Sequence, residues 1–455
     1  MSHPDPNFSD PGLLDSGQIA LLTDQYELTM AASYLGREMD QLAVFEHFVR
    51  RLPPNRRWLL AAGLGPLLEL VAAMRFRQPE LSYLEERGFE RGFLRYLSSF
   101  RFSGDIDALP EGTVFFANEP ILRVTAPRIE AQLLETLVLN QINFQTMIAT
   151  KAARVVLAAG GGDPGHGERV IDFSARRDHG TDAAMKAARS AAIAGCGGTS
   201  NVAAAMRYGL EPMGTMAHSY VLSFASELEA FQAFIRDHPE KAILLVDTFD
   251  SRQGVRNAIE ASRSTGIPLK GIRLDSGDLL ELSREARRLL DAAGHTDARI
   301  TASGDLDEER IGELVAAGAP IDVWGVGTEL ATSRDSPVVN GVYKLVADQR
   351  PDGSWRGVEK RSPEKETRPG AKQVYRRSEG GSMVEDVIAH AAASVRGEPL
   401  LVPVMRGGRI VRRKSLAAIQ EWARSQLAAL PEPLRDPRGD GTYPTRFAHP
   451  GGDRG

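Results

Sequence analysis

Residues 271–278 read Gly271-Ile272-Arg273-Leu274-Asp275-Ser276-Gly277-Asp278. A short β-type run ends in polar residues and a glycine, and a helical pattern occupies 278–293. The same beat recurs on both sides. β-type runs stand at 170–173, 197–199, 213–215, 243–247, 299–302, 321–324 and 341–345, with helical segments at 181–194, 226–237, 251–264 and 306–317. Eight β segments, most followed by a helix, predict an α/β fold, an irregular (β/α) barrel. An open doubly wound sheet satisfies the same alternation.

The flanks break this rhythm. Residues 1–17 read as a loose acidic arm. Thr23 or Asp24 can cap a helix running through Tyr34, with Tyr26 in its first turn. A strand is expected at 43–50, helices at 58–75 and 79–98, two paired β runs at 113–116 and 121–124, and a long apolar helix from 129 to 157. Lys151 and Arg154 near its end suit a helix dipole or a substrate anion, with a structural role favoured over both. The basic stretch 348–375, with Lys360, Arg361, Lys365, Arg368 and Lys372, reads as a hairpin or loop. Pro403 demotes 400–405 to an edge strand, and a helix follows at 416–430. The expected division is an α+β domain from 1–145 plus 348–430, a barrel at 146–347, and a disordered tail at 431–455.

Composition excludes several classes. A net charge of −5 over 455 residues argues against a nucleic-acid binder. No apolar run reaches membrane-spanning length and the N-terminus lacks a signal-peptide core, so a cytoplasmic location is expected. The single cysteine, Cys196, rules out an internal disulfide and a cysteine zinc cluster, and suits a small packing role.

In a barrel the reactive groups gather where strands end. The ends here carry Ser174-Ala175-Arg176-Arg177, Thr199-Ser200-Asn201, His218, Asp247-Thr248, Arg273 with Asp275, Ser276 and Asp278, Ser303-Gly304-Asp305, and Gly325-Val326-Gly327-Thr328-Glu329. Arginines offer forked contacts to carboxylate or phosphate. Glycine backbone N–H groups suit phosphate. Asp247, Asp275 and Asp305 can hold ribose hydroxyls or magnesium bound to pyrophosphate. Together these point to a phosphorylated sugar. His218, in Gly214-Thr215-Met216-Ala217-His218-Ser219, has small neighbours that leave its imidazole free for covalent work; a buried, satisfied histidine fits the local residues too. Strand order makes Asp247 the candidate to orient that imidazole.

In order and spacing these pieces, with Thr23-Asp24-Gln25-Tyr26, Val246-Asp247-Thr248-Phe249-Asp250 and the basic run from Lys360 to Lys372, resemble the nicotinate phosphoribosyltransferase family, of the type II phosphoribosyltransferase fold. The resemblance runs from Thr23 to about residue 420. It implies joining of nicotinate to 5-phosphoribosyl 1-pyrophosphate, giving nicotinate mononucleotide and pyrophosphate, the first step of NAD salvage from nicotinate. It implies coupling to ATP hydrolysis through a phosphohistidine at His218, with Mg2+ carried by the pyrophosphate and ATP. It further implies a homodimer with a shared site, Tyr26 of the partner subunit stacking on the pyridine and Phe173 lying on the other face. Arg273 and Thr215 would meet the nicotinate carboxylate, and Arg176, Asp275, Gly304, Asp305, Gly327 and Thr328 the ribose and phosphates. Ser200 stands where nicotinamide-using relatives typically carry an aspartate, which favours a carboxylate substrate. Asp178-His179-Gly180 departs from the pair that many members carry. Nicotinamide and quinolinate phosphoribosyltransferases, and an inactive relative acting as a binding protein, are the alternatives.

Overall fold

The computed structural model describes residues 18–360, 362 and 367–448. Arg361 and Lys365 of the basic run, and the arm before residue 18, lie outside them. The described chain forms two compact units: residues 18–146, 338–419 and 443–448 make one, and 147–337 with 420–442 the other. Among the described residues no helix is long and apolar enough to cross a membrane.

The first unit is built on a seven-stranded sheet in the order Trp355–Gly357, Gly341–Gln349, Leu42–Val49, Pro120–Pro127, Asp105–Ala108, Val402–Arg406 and Arg409–Ile410. Leu42–Val49 sits between two antiparallel partners and is buried along nearly its whole length, Glu46 and His47 included. Several expectations fail here: the helix expected from 58 begins at Leu64, after a strand at Leu59–Leu60, and the one expected at 79–98 is two, Gln78–Glu86 and Arg91–Ser98. Val114–Phe115 pairs with Leu59–Leu60, not with the run at 121–124. Val402–Arg406 pairs on both sides, because a register shift between Pro403 and Met405 accommodates the proline. The long helix is interrupted too: Arg128–Gln132 is separate from Glu135–Ala159.

A second sheet of this unit orders Glu398–Pro399, Lys372–Glu379, Ser382–His390 and Thr445–Phe447. The expectation of a disordered tail from residue 431 therefore does not hold through residue 448. Thr445–Phe447 pairs in parallel with Ser382–His390, and the Tyr443 hydroxyl donates to Asp386 Oδ1 at 2.9 Å. Glu432–Arg435 is a short helix of the other unit.

In the second unit six parallel strands carry the fold: β1 (Val170–Asp172), β2 (Gly198–Thr199), β3 (Ile243–Leu245), β4 (Gly271–Leu274), β5 (Arg299–Ala302) and β6 (Val323–Val326). Their order is β2-β1-β6-β5-β4-β3. The first strand pairs with the last of the six, an order consistent with an irregular barrel, although the sheet is open between β2 and β3. No ladder joins β2 to β3. The missing place belongs to the expected run 213–215, which makes only a bridge from Pro212 to Thr199 and a bond from Met213 N to Thr199 O. The expected eighth strand pairs antiparallel with Leu42–Val49 in the first unit.

Side-chain caps fix where the helices begin. Asn201, Asp250, Asp278 and Asp307 each accept from a backbone N–H in the first turn of the helix they precede. Asp278, one of the polar strand-end residues, is thus a helix cap.

Candidate active site

Arg273 is the hub of the C-terminal end of the parallel sheet. As the third residue of β4 it stands in a largely buried position. Its Nε donates to Ser303 Oγ at 2.7 Å, Nη2 to Asp275 Oδ1 at 2.7 Å, and Nη1 to Thr215 Oγ1 at 3.3 Å and to Met216 O at 3.5 Å. The guanidinium carbon lies 5.4 Å from the centroid of the Phe173 ring. The first two contacts are tight and the last two loose, so the Thr215 side is where an incoming anion meets least competition.

Phe173 follows β1, and its backbone N–H donates to Val326 O at 2.8 Å. Its ring lies on Gly325, where an added Cβ would stand 2.5 Å and 2.6 Å from ring carbons. Gly325 is therefore a packing requirement. Gly325→Ala should destabilise the chain by about 1–3 kcal/mol through overpacking, read as a lower urea midpoint; an unchanged midpoint would count against this packing.

Asp275 joins three elements. Its Oδ1 accepts from Arg273 and, in a very short bond, from Ser303 Oγ. Its backbone N–H donates to Asp247 Oδ2 at 3.0 Å, and Ser276 Oγ donates to the same oxygen at 2.7 Å. Burial alone would raise the Asp275 carboxyl, but the Ser303 hydrogen bond and the Arg273 charge outweigh it and hold it below the usual carboxylate range. Gly304 approaches Asp275 so closely that a Cβ would lie 2.0 Å from its carbonyl oxygen, at a φ of +89°. Asp305 also has positive φ, at 46°, and both residues are exposed. Gly327 and Thr328 are half-buried where helix Thr328–Thr332 begins after β6.

His218 opens the short helix His218–Leu222 and does not end a strand. Its Nδ1 lies 3.1 Å from Thr248 Oγ1 and its Nε2 3.9 Å from Asp275 Oδ2, with 43% of the side chain exposed. The contact expected from Asp247 comes from Thr248. Asp247 faces Asp275 and Ser276 instead, and its Oδ1 is buried with no hydrogen-bond partner among the described residues. Thr248 and Ser303 stood among the polar strand ends in the sequence, but neither was assigned a role there. Asp172 was missed as well. It is buried within β1 and accepts from Ser174 N at 2.9 Å and Thr199 Oγ1 at 2.7 Å, tying β1 to β2; its only sequence signal was a carboxylate inside an apolar run.

Arg176 is exposed in the turn after Phe173. Nearby, burial and the Asp172 charge push the Asp178 carboxyl up to about 6. The structure thus brings Phe173, Thr215, His218, Asp247, Arg273, Asp275 and Gly304 together.

Tyr26 belongs to the first unit, on helix Gln25–Gly36, where it is half exposed. Its neighbour Glu27 is fully buried and accepts from Thr23 Oγ1 at 2.9 Å and Thr136 Oγ1 at 3.0 Å. Burial pushes the Glu27 carboxyl up to about 7 despite these hydrogen bonds. A raised carboxyl binds its proton more tightly in the folded chain. Its stabilisation is therefore complete below about pH 4.5 and is lost as the pH rises through about 7. Glu27→Gln should flatten the fall of the melting temperature across that window, and an unchanged slope would refute this assignment.

Residues 21–143 match the nicotinate phosphoribosyltransferase (NAPRTase) N-terminal domain, and residues 169–379 the nicotinate phosphoribosyltransferase (NAPRTase) family. The nicotinate phosphoribosyltransferase pncB2 of Mycobacterium tuberculosis is 48% identical over 93% of this chain and 90% of its own length. The Bacillus subtilis nicotinate phosphoribosyltransferase is 45% identical over 79% of this chain and 73% of its own. The crystal structure of human nicotinic acid phosphoribosyltransferase superposes with a TM-score of 0.79 at 27% identity, covering 94% of this chain and 98% of that one. With that agreement in sequence and fold, the chain belongs to the nicotinate phosphoribosyltransferase family and is an enzyme of that type.

Proposed function

We propose that this chain joins nicotinate to 5-phosphoribosyl 1-pyrophosphate and couples the transfer to ATP hydrolysis through phosphorylation of His218, as the entry of nicotinate into NAD salvage. The observation that carries the reading is the convergence of Arg273, Phe173, Asp275 and the His218 imidazole at one end of the parallel sheet. The pyridine ring lies on Phe173, and its carboxylate takes the loosely held Thr215 side of Arg273. The pyridine nitrogen attacks the anomeric carbon as the carbon–oxygen bond to pyrophosphate breaks, and no proton has to move. Positioning and electrostatics therefore carry the step. The ionised Asp275 faces the developing oxocarbenium charge. Arg176, Gly304, Asp305, Gly327 and Thr328 hold the ribose and phosphates.

Magnesium reaches this site as the counter-ion of pyrophosphate and ATP, part of the substrates. Among the described residues no three His, Cys, Asp or Glu side chains gather to hold a metal, and the unpartnered Asp247 Oδ1 is a carboxylate oxygen suited to the hydrated ion. In the tautomer whose Nδ1–H donates to Thr248, His218 Nε2 keeps its lone pair. That nitrogen attacks the γ-phosphorus of ATP, the bond to ADP breaks, and water later takes the phosphoryl group as phosphate. A homodimer in which Tyr26 of the partner subunit covers the pyridine completes the reading; exposed Tyr26 supports it.

The test is a panel of nicotinate, nicotinamide and quinolinate with 5-phosphoribosyl 1-pyrophosphate, with and without ATP. Nicotinate mononucleotide formed from nicotinate, and enhanced by ATP, is expected. Product from nicotinamide alone, or from quinolinate with loss of carbon dioxide, would overturn the substrate assignment.

A further inference from the structure

Lys151 and Arg154 take no part in the chemistry described above, yet they are among the most deeply buried cations of the barrel unit. They project from consecutive turns of helix Glu135–Ala159 with side chains only 1% and 4% exposed. Both meet one carboxylate. Lys151 Nζ lies 2.5 Å from Glu308 Oε2 and Arg154 Nε lies 2.7 Å from Glu308 Oε1. Lys151 reaches a second acid as well, Asp335 Oδ1 at 2.9 Å.

The two acids stand in telling places. Glu308 comes three residues after Asp305 and opens the helix that follows β5. Asp335 comes seven residues after Thr328, on the loop that leaves helix Thr328–Thr332. That loop is folded back on itself, with Ser333 at a φ of 45° and its hydroxyl donating to Ser336 O at 2.9 Å. At its start Arg334 pairs with the buried Glu329 at 2.6 Å. One buried ammonium thus bridges the downstream anchors of both glycine-bearing strand ends. A buried cation that loses a partner has no water to replace it, so it tolerates few alternative placements of either loop. Backbone donors aimed at phosphate act best when they are fixed before the substrate arrives.

We infer that Lys151, supported by Arg154, is a positioning residue for 5-phosphoribosyl 1-pyrophosphate: it sets the spacing of the Gly304-Asp305 and Gly327-Thr328 loops through Glu308 and Asp335. The inference rests on the proposed function of that site. Lys151 touches no substrate; it acts through the two loops. Its loss falls on the substrate that the loops hold and spares the one bound at Phe173 and Arg273.

Steady-state kinetics on the full chain tests this. Lys151→Met should raise KM for 5-phosphoribosyl 1-pyrophosphate about tenfold, with KM for nicotinate within about twofold of wild type and kcat within about threefold. Glu308→Gln should reproduce that pattern, and the double variant should be no worse than the poorer single one, because both changes release the same loop. Asp335→Asn, at the partly exposed end of the cluster, should raise the same KM about threefold and keeps the test open if the buried variants fail to fold. Equal rises in both KM values, additive effects in the double variant, or an unmoved KM in Asp335→Asn and Lys151→Met would overturn the inference. A wild-type chain inactive on nicotinate would overturn the functional reading and this inference with it; an active wild type with unmoved variants overturns the inference alone.

Discussion

Replacing His218 by alanine should abolish transfer of label from γ-labelled ATP to the chain, a loss on the order of 10³-fold or more, because the proposed covalent path runs through its imidazole alone. The label on the wild-type chain should be acid-labile, as expected for a phosphoramidate. The imidazole is half exposed, tethered at Nδ1 by Thr248 and free at Nε2 apart from the distant Asp275 carboxylate. Slow nucleotide formation without ATP should survive in His218→Ala, since the transfer itself needs no nucleophile from the protein. Its stimulation by ATP should vanish. Persistence of the label in that variant would remove His218 from the scheme. Thr248→Val supplies a graded test of the tether: losing one ordinary hydrogen bond, worth roughly 1 kcal/mol, should slow labelling about fivefold. A rate equal to wild type would show that Thr248 does not orient the ring.

The second large effect falls on Arg273. Truncation to alanine removes the group proposed to meet the nicotinate carboxylate and strands Asp275, which is partly buried and held below its usual pKa by the Ser303 hydrogen bond and the Arg273 charge. Removing one member of such a pair costs about 3 kcal/mol, which corresponds to ~10²-fold in kcat/KM for nicotinate. Lysine should not restore it. One ammonium cannot serve Ser303, Thr215 and Asp275 at once, as the planar guanidinium does. The measurement is kcat/KM for nicotinate in wild type, Arg273→Ala and Arg273→Lys, beside their melting curves. A lysine variant with wild-type kcat/KM would show that the fork is not what binds the carboxylate.

Some of this was legible from residues alone and some was not. The alternation of β runs and helices identified the α/β class, because apolar periodicity records which face of each element is buried. Helix caps were less legible: Asp24 precedes its helix but makes no side-chain cap hydrogen bond, whereas Asp250, Asp278 and Asp307 cap theirs. The motifs around Arg273, His218 and the glycine-bearing strand ends singled out the family, and the structure gathers Arg273, Asp275, Phe173, Thr215 and His218 at one end of the parallel sheet.

What the sequence could not express was pairing across long separations. The runs at 213–215 and 341–345 were both read as barrel strands, yet the first makes only a backbone bond from Met213 beside a bridge at Pro212, and the second forms a strand of the first unit. Residues 443–448 look like a tail by composition, yet a buried Asp386 and the edge of Ser382–His390 take them up. Asp247 and Thr248 are adjacent in the chain, and successive residues near a strand end point in different directions. Only the packed sheet decides which of them meets the imidazole. From the sequence, Lys151 and Arg154 could be dipole partners or anion ligands, with a structural role somewhat favoured, but no partner could be named. Tertiary burial settled it by delivering Glu308 to both of them, and Asp335 to Lys151, from loops more than 150 residues away. Local pattern thus determined the class, the family and the reactive residue types. The non-local choice of partners, made by strand pairing and by the cost of leaving a buried charge alone, decided the geometry.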